Sequence, residues 1–134
     1  RPRPSAKRKL VGRRRTPDNL GQTALDAWAK NPDTLPVAQR RTAVRWTLEL
    51  LAERAPGNSV EVRIPPDGAV QAVAGPRHTR GTPPNTIQTD PHTWLQLATG
   101  ALGWADAVDR GQVAASGVHA ELDQWLPIAK PTQE

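Results

Sequence analysis

The stretch VEVRIPPDGAVQAVA, residues 60–74, decides the fold of this chain because it has the pattern of a β-hairpin. Val60, Val62 and Ile64 alternate with charged residues, which predicts a strand with one buried face. The turn sequence PPDG follows, and the alanine-rich segment 69–74 predicts a second strand that pairs with the first. The hairpin therefore indicates a sheet that the rest of the chain must cover on one side.

Downstream of the hairpin, the sequence predicts a third strand over residues 85–89. A helix is predicted to begin at Asp90 and Pro91 and to end before Gly100, because an acidic cap, an early proline and a left-handed glycine suit those positions. Further along, we expect a short helix over 103–110, a strand around 113–115 and a last helix over 118–126.

Upstream of the hairpin, two amphipathic helices are predicted. The first begins with a threonine cap at Thr16 and ends at Asn31, and its apolar face is expected to carry Leu20, Ala24 and Trp28. The second begins near Pro36, and its apolar residues recur at helical spacing: Val37, Val44, Leu48 and Leu51. Strands clustered between flanking helices predict an α+β fold with the helices packed chiefly on one face of the sheet.

The net charge of +5 is unevenly distributed along the 134 residues. Residues 1–15 hold eight Arg and Lys and no acid, whereas the remainder has ten basic and thirteen acidic residues. A segment as basic as residues 1–15 cannot bury enough apolar surface to offset the conformational entropy that it would lose on folding. We therefore predict a disordered basic tail over 1–15 and a single domain over 16–134. The tail could bind polyanions, but it has no aromatic residue to stack on bases, and we expect a solubilising or linker role without nucleic acid.

The composition excludes several classes of protein. Cysteine is absent, which rules out disulfides and thiolate chemistry. No apolar run approaches the ~20 residues that cross a bilayer, and no signal-peptide pattern opens the chain, so we expect a cytoplasmic protein. Methionine is also absent, and we expect the sequence to begin inside a longer chain. The five tryptophans are the only aromatic residues, and we expect them to be core rather than ligand-stacking groups.

Enzyme chemistry has little support in the sequence. The three serines lie outside any G-x-S-x-G turn, and the three histidines do not have the spacing of metal ligands. The glycines of residues 75–81 do not form a phosphate-binding loop, because no G-K-[ST] motif follows them. We therefore predict a non-catalytic protein that needs no cofactor or metal. An enzyme that uses His78 as an acid or base between two arginines is a minor alternative.

The second informative stretch is GPRHTRGTPP, residues 75–84, in which prolines and glycines stiffen a loop that carries several cations. In one interpretation, the loop is solvated and its arginines pair with nearby acids such as Glu61 or Asp90. In the other, guanidinium groups form an anion clamp, because their two-pronged geometry matches a carboxylate or phosphate. The clamp would consist of Arg63, Arg77, His78 and Arg80.

Two segments carry a resemblance to a known family. TDPHTWLQLATGALGWADAVDRGQVAASGVHAELDQWLPI, residues 89–128, resembles the C-terminal half of sterol carrier protein 2-like domains. VRWTLELLAERAPGNSVEVRIPPDGAVQAVAGPRHTRGTPP, residues 44–84, resembles a bacterial branch, the bacterial sterol carrier protein orthologues. The resemblance spans about 36–128. It implies a mostly antiparallel sheet covered by helices, with a hydrophobic cavity between them where some relatives bind lipids.

The resemblance implies a carrier that binds a lipid or another amphiphilic apolar ligand. The composition of residues 75–84 adds the hypothesis that a basic loop at the pocket mouth favours an anionic head group. The candidate pocket-lining residues are Val44, Leu48, Trp94, Leu97, Trp104 and Trp125. The alternative is an interaction or regulatory domain with a filled core, whose basic tail or sheet edge contacts a protein or nucleic acid. The sequence does not identify a protein partner.

Overall fold

The computed structural model describes residues 15–75 and 84–133 of the chain. The elements, in chain order, are α1 (Asp18–Lys30), α2 (Val37–Arg54), β1 (Val60–Ile64), β2 (Gly68–Ala72), β3 (Asn85–Gln88), α3 (Pro91–Thr99), α4 (Trp104–Asp109), β4 (Ala114–Ser116) and a short 3-10 turn (Asp123–Trp125). The predicted basic tail lies outside the described residues except for Arg15. Of the helices described, none is both long and apolar enough to cross a membrane.

The strands form one sheet in the order β2-β1-β3-β4. β1 and β2 pair antiparallel, with Val60 opposite Ala72 and Ile64 opposite Gly68. β3 runs parallel to β1, with Asn85 opposite Val60, and pairs antiparallel with β4. Two of these three pairings are antiparallel, so the predicted α+β fold with a mostly antiparallel sheet is confirmed.

The sheet buries one face under the helices. Val60, Val62 and Ile64 of β1 are fully buried, whereas Arg63 between them is exposed. Ile87 of β3 is buried on the same side as these residues, because β3 pairs in register with β1. α2 packs against β2 and lies between α1 and α3. The alternation of side chains along residues 60–64 thus predicted correctly which face the helices cover.

Tryptophan side chains occupy much of the interior. Trp94 is fully buried, and its Nε1 donates a hydrogen bond of 2.8 Å to Oγ1 of Thr47. That hydroxyl in turn donates to the carbonyl of Ala43 at 2.8 Å. The buried indole is therefore satisfied, which avoids the cost of about 1–3 kcal/mol for an unpaired donor. Trp28 and Trp46 are also buried, and Trp104 and Trp125 are half-buried, so the expected core role is confirmed for three of the five.

Two residues assigned to buried helix faces are exposed. Leu20 is 54% exposed and Val37 is 53% exposed. On α1, Gly21 faces the core instead, because the ring of Trp46 occupies the space where a side chain at this position would lie. This contact sets the rotation of α1 and turns Leu20 outward. Val37 is the first residue of α2, where burial begins only at Ala43.

The predicted threonine cap of α1 is also wrong. The residue before the helix is Pro17, and no side chain caps the helix there. Thr16 instead donates its backbone N–H to Oε1 of Glu49 at 2.8 Å, which ties the start of α1 to α2. By contrast, the Asp90 cap is confirmed, because its Oδ2 accepts the N–H of Thr93 at 3.0 Å. The left-handed glycine after α3 is likewise confirmed, with φ of 88° at Gly100.

The helix predicted over residues 118–126 does not form. Only a 3-10 turn at Asp123–Trp125 is present, and Val118 is 85% exposed. The C-terminal segment is held in an extended path by Arg54, which donates to three of its carbonyls: those of Trp125, Pro127 and Ile128. These contacts with α2 replace the intrahelical hydrogen bonds that the sequence pattern had suggested.

Candidate functional site

The clamp segment, residues 76–83, connects β2 to β3, and both strands meet this connection at one end of the sheet, which we call the crossover end. There Val60 lies between Ala72, which ends β2, and Asn85, which begins β3. The chain leaves β2 and enters β3 at this end, and the intervening residues 76–83 lie outside the described residues. The predicted clamp residues Arg77, His78 and Arg80 belong to that part of the chain.

Hydrogen bonds fix both attachment points at the crossover end. On the β2 side, Val73 donates its N–H to the carbonyl of Ala55 at 2.6 Å and accepts from the N–H of Ser59 at 3.0 Å. On the β3 side, the Asn85 amide donates to the carbonyl of Ser59 at 3.0 Å and accepts from the N–H of His119 at 3.1 Å. The two ends of the segment are therefore bound to one backbone position, Ser59.

Val73 is held in an unfavourable backbone conformation. Its φ of 70° lies in the left-handed region, where a β-branched residue is a genuine outlier. Such residues cost about 1–3 kcal/mol and persist only where the surroundings hold them. The hydrogen bonds to Ala55 and Ser59 supply that restraint. Gly57, with φ of 144°, makes room for it, because a side chain at this position would collide with the backbone of Val73.

An open cavity of about 490 Å³ lies beside Val73. Its volume falls within the range of about 300–1,000 Å³ that is usual for small-molecule sites. The lining includes Ser59, Val73 and Gly75 from the crossover end and His119, Glu121 and Asp123 from the C-terminal segment. A second cavity of about 420 Å³ is also lined by Ser59 and includes Pro84, the first described residue after the clamp segment. Both ends of the clamp segment therefore border a cavity.

Arg63, the remaining member of the predicted clamp, lies elsewhere on the sheet. It is three residues along β1 from Val60, about 10 Å away at the usual rise of a strand. Its Nε donates to Oε1 of Glu61 at 3.2 Å on the uncovered face. Asp90, one of the acids considered as a loop partner, is already engaged as the cap of α3. Burial disfavours its ionised form, but hydrogen bonds from Thr93 outweigh that and keep the pKa of Asp90 below its ordinary value.

The six candidate pocket-lining residues are not brought together at the cavities of the crossover end, and none of them borders either one. Val44, Leu48, Trp94 and Leu97 are at most 1% exposed, and Trp104 and Trp125 are half-buried. The first four belong to the packed core between the helices and the sheet.

Trp125 has one feature that the other tryptophans lack. Its Nε1 is buried and has no acceptor among the residues that the structure describes. A buried donor that is left without any partner typically costs about 1–3 kcal/mol. The residues just before it, Asp123 and Gln124, line the 490 Å³ cavity.

Sequence reasoning missed the cavity residues Ser59, Val73, Glu121 and Asp123. The two acids fall within the helix predicted over residues 118–126, which does not form, and Ser59 and Val73 carry no local signal of function. Only the run of Gly and Pro around residues 75–84 pointed to this part of the chain. Within residues 15–75 and 84–133, no three His, Asp or Glu side chains converge on a metal position.

Comparison with known proteins places the chain in a family. The family model described as "Bacterial SCP ortholog" matches residues 37–128, which is about two-thirds of the chain. The matched region runs from the first residue of α2 to just beyond the 3-10 turn and contains all four described strands. A search of curated proteins found no match. The resemblance noted over residues 36–128 is thus confirmed, and the chain belongs to the bacterial SCP ortholog family.

Proposed function

We propose that this domain is a non-catalytic carrier that binds a lipid or another amphiphile with an anionic head group at the crossover end of the sheet. The main observation in support of the proposal is the 490 Å³ cavity, which is lined in part by Gly75, the last described residue before the clamp segment. Membership of a sterol carrier protein family supports a lipid-type ligand. The cysteine-free, nucleophile-poor composition agrees with carriage rather than catalysis.

The head group would be bound by the clamp segment. Arg77 follows Gly75 by two residues, a tether short enough for its guanidinium to reach an anion in the cavity. Each charged hydrogen bond from Arg77 or Arg80 would contribute about 1.5–3 kcal/mol. Glu121 and Asp123 line the same cavity, so an anionic head must compete with these carboxylates for the arginines, and affinity should fall as salt rises.

The apolar tail would supply most of the affinity. About ten buried methylenes contribute roughly 8 kcal/mol before association costs. The layer between helices and sheet, which includes Leu48, Trp94 and Leu97, is packed in the described structure. A tail that enters this layer must separate these side chains, and binding should therefore change tryptophan fluorescence.

The test compares palmitic acid with hexadecanol, two ligands of equal chain length and different head groups. Affinities are measured by calorimetry and tryptophan fluorescence for the natural chain, for the variant R77A/R80A and for R110A. Arg110 is exposed at the end of α4, away from the crossover end, and serves as a charge-matched control. We expect the natural chain and R110A to prefer the acid by about tenfold or more and R77A/R80A to lose that preference. An acid preference that survives in R77A/R80A rejects the clamp, and failure to bind either ligand rejects the carrier.

A second candidate, an interaction domain with a filled core, is favoured by one observation. Trp28, Trp46 and Trp94 are all at most 6% exposed and pack within one continuous core. Native mass spectrometry of protein purified without denaturation separates the two candidates. A retained aliphatic ligand supports the carrier, whereas a bare protein that also binds no amphiphile in the titrations supports the filled domain.

A further inference from the structure

The end of the chain lies across the helices as an extended strap. Residues 126–133, which we call the C-terminal strap, belong to no helix or strand in the described structure. The strap first contacts α3, where the carbonyl of Ala98 accepts the N–H of Ile128 at 2.7 Å. It then reaches α1, where Oδ1 of Asp26 accepts the N–H of Thr132 at 2.8 Å. Because α2 lies between α1 and α3, the strap bridges the two outer helices.

The strap buries apolar side chains in the core of the domain. Ile128 is 7% exposed and belongs to the same core as Trp94 and Leu97. Leu126 and Ala129 are half-buried and pack against that core. The apolar surface that these three side chains cover would face water if the strap were absent. The strap therefore occupies a place that suits another apolar chain.

The contacts that hold the strap to α1 and α2 are open to water. Arg54, an exposed residue at the end of α2, donates to three carbonyls where the strap begins: those of Trp125, Pro127 and Ile128. The contact between Asp26 and Thr132 is also exposed. Segments held by solvent-exposed hydrogen bonds, without a strand or helix of their own, open locally at a lower free energy than the core. We therefore expect the strap to open before the helices that it crosses.

The strap also begins beside the cavity at the crossover end. Asp123 and Gln124 line that cavity of about 490 Å³, and the strap starts two residues after Gln124. Four residues separate Gln124 from Ile128, which limits the distance between their Cα atoms to about 14 Å. That distance is shorter than an extended molecule of palmitic acid. A single amphiphile can thus reach from the cavity to the place of Ile128.

We propose that the C-terminal strap is a displaceable cover, and that the apolar tail of the ligand takes the place of Ile128 and its neighbours between α1 and α3. The head group stays in the cavity at the crossover end. This inference rests on the proposed function and adds the route of the tail. Because the strap and the tail compete for one place, a change that opens the strap must raise the affinity for the ligand by the same factor.

The experiment uses the full chain and R54M, which removes the donors that hold three carbonyls near the start of the strap. R110M removes an exposed charge at the end of α4 and is the matched control. Opening is measured by hydrogen exchange of the amides of Ile128 and Ala129, which both donate to the carbonyl of Ala98. We expect R54M to lower the protection of both amides by about tenfold. R110M should change it by less than twofold.

Exchange of the Trp94 amide, which donates to Asp90 within α3, separates local opening from unfolding of the whole domain. Its protection should change by less than twofold in R54M. Saturating palmitic acid should lower the protection of the Ile128 and Ala129 amides in the natural chain, because the tail displaces the strap. It should at the same time raise the protection of the Trp94 amide, because a bound ligand stabilises the folded domain.

Affinities for palmitic acid and hexadecanol are measured by tryptophan fluorescence. We expect R54M to bind both ligands about tenfold more tightly than the natural chain, with its preference for the acid unchanged, because the strap competes with the tail and not with the head group. D26A, which removes the acceptor of the Thr132 N–H at the far end of the strap, repeats the test should R54M fail to fold. Its effect should have the same direction and be about threefold.

Two results overturn the inference while the carrier proposal stands. In the first, palmitic acid binds the natural chain and leaves the Ile128 and Ala129 amides as protected as before. In the second, R54M and D26A bind both ligands no more tightly than R110M does. If no variant binds either ligand, the carrier proposal itself fails, and this inference fails with it.

Discussion

The hairpin turn is anchored to α2 by an ion pair between Arg40 and the buried carboxylate of Asp67, and we expect its loss to destabilise the fold. The side chain of Asp67 is fully buried. It accepts hydrogen bonds of 2.8 Å from both Nε and Nη2 of Arg40, a two-pronged contact between elements 27 residues apart. The substitution R40M keeps much of the apolar stem but leaves the carboxylate without its main partner.

Removing one partner of a buried ion pair typically costs about 3–5 kcal/mol, because the remaining charge stays buried. Two features of this site reduce that cost. Arg40 is 29% exposed, so water reaches part of the pair, and Arg41 at 3.6 Å can move closer to Asp67. We therefore expect R40M to lower the free energy of unfolding by about 2–3 kcal/mol. For a domain of this size, that corresponds to a fall in Tm of roughly 6–15 °C.

The assay is urea unfolding at pH 7, followed by tryptophan fluorescence and circular dichroism, with R110M as the matched control. The double variant R40M/D67N should recover at least half of the lost stability, because it removes the unpaired buried charge. A loss below about 1 kcal/mol in R40M would refute the argument. The argument would also be refuted if R40M/D67N were no more stable than R40M, because the loss of stability could not then arise from the unpaired carboxylate of Asp67.

Two further predictions concern backbone and cap geometry. G57A should lower the free energy of unfolding, measured in urea, by about 2–4 kcal/mol. The reason is that φ of 144° disfavours a side chain at this position and that the added Cβ would meet the backbone of Val73. A stability close to that of the natural chain would contradict this geometry. D90A should lose about 1 kcal/mol at pH 7 through loss of the α3 cap. The folded-state pKa of Asp90 is lowered. The difference in unfolding free energy between D90A and the natural chain should therefore be fully present above the unfolded pKa of about 3.9 and should vanish as pH falls through the folded-state pKa. A stability difference that persists at the lowest pH would count against the ionised cap.

Much of the fold was predictable because its signals are local. The alternation over Val60, Val62 and Ile64 identified both a strand and its buried face, and the cap at Asp90 placed the start of α3. Where a distant contact competes with a local pattern, the prediction failed. Trp46 set the rotation of α1 through Gly21, and no periodicity within α1 could reveal that.

The candidate site was predictable only in part. The composition of residues 75–84 marked a loop of functional interest, and whether Arg77, His78 and Arg80 form a clamp stays a prediction. The cavity that Gly75 borders is also lined by Glu121 and Asp123, which belong to a C-terminal segment that the sequence pattern had predicted to be helical. Another cavity likewise joins Arg15 and Thr16, which precede α1, with Arg41 and Arg45 on α2; these residues are neighbours in space and not in sequence.

By itself, the sequence determined the α+β class, the hairpin, the covered face of the sheet and the family, because residue spacing and turn chemistry act over a few positions. Tertiary structure alone decided where the cavities lie and which charges remain unpaired. The path of the C-terminal segment shows why: Arg54 binds the carbonyls of Trp125, Pro127 and Ile128, more than 70 residues away. Contacts at that separation are selected by the packing of the whole domain, and no local pattern in the chain encodes them.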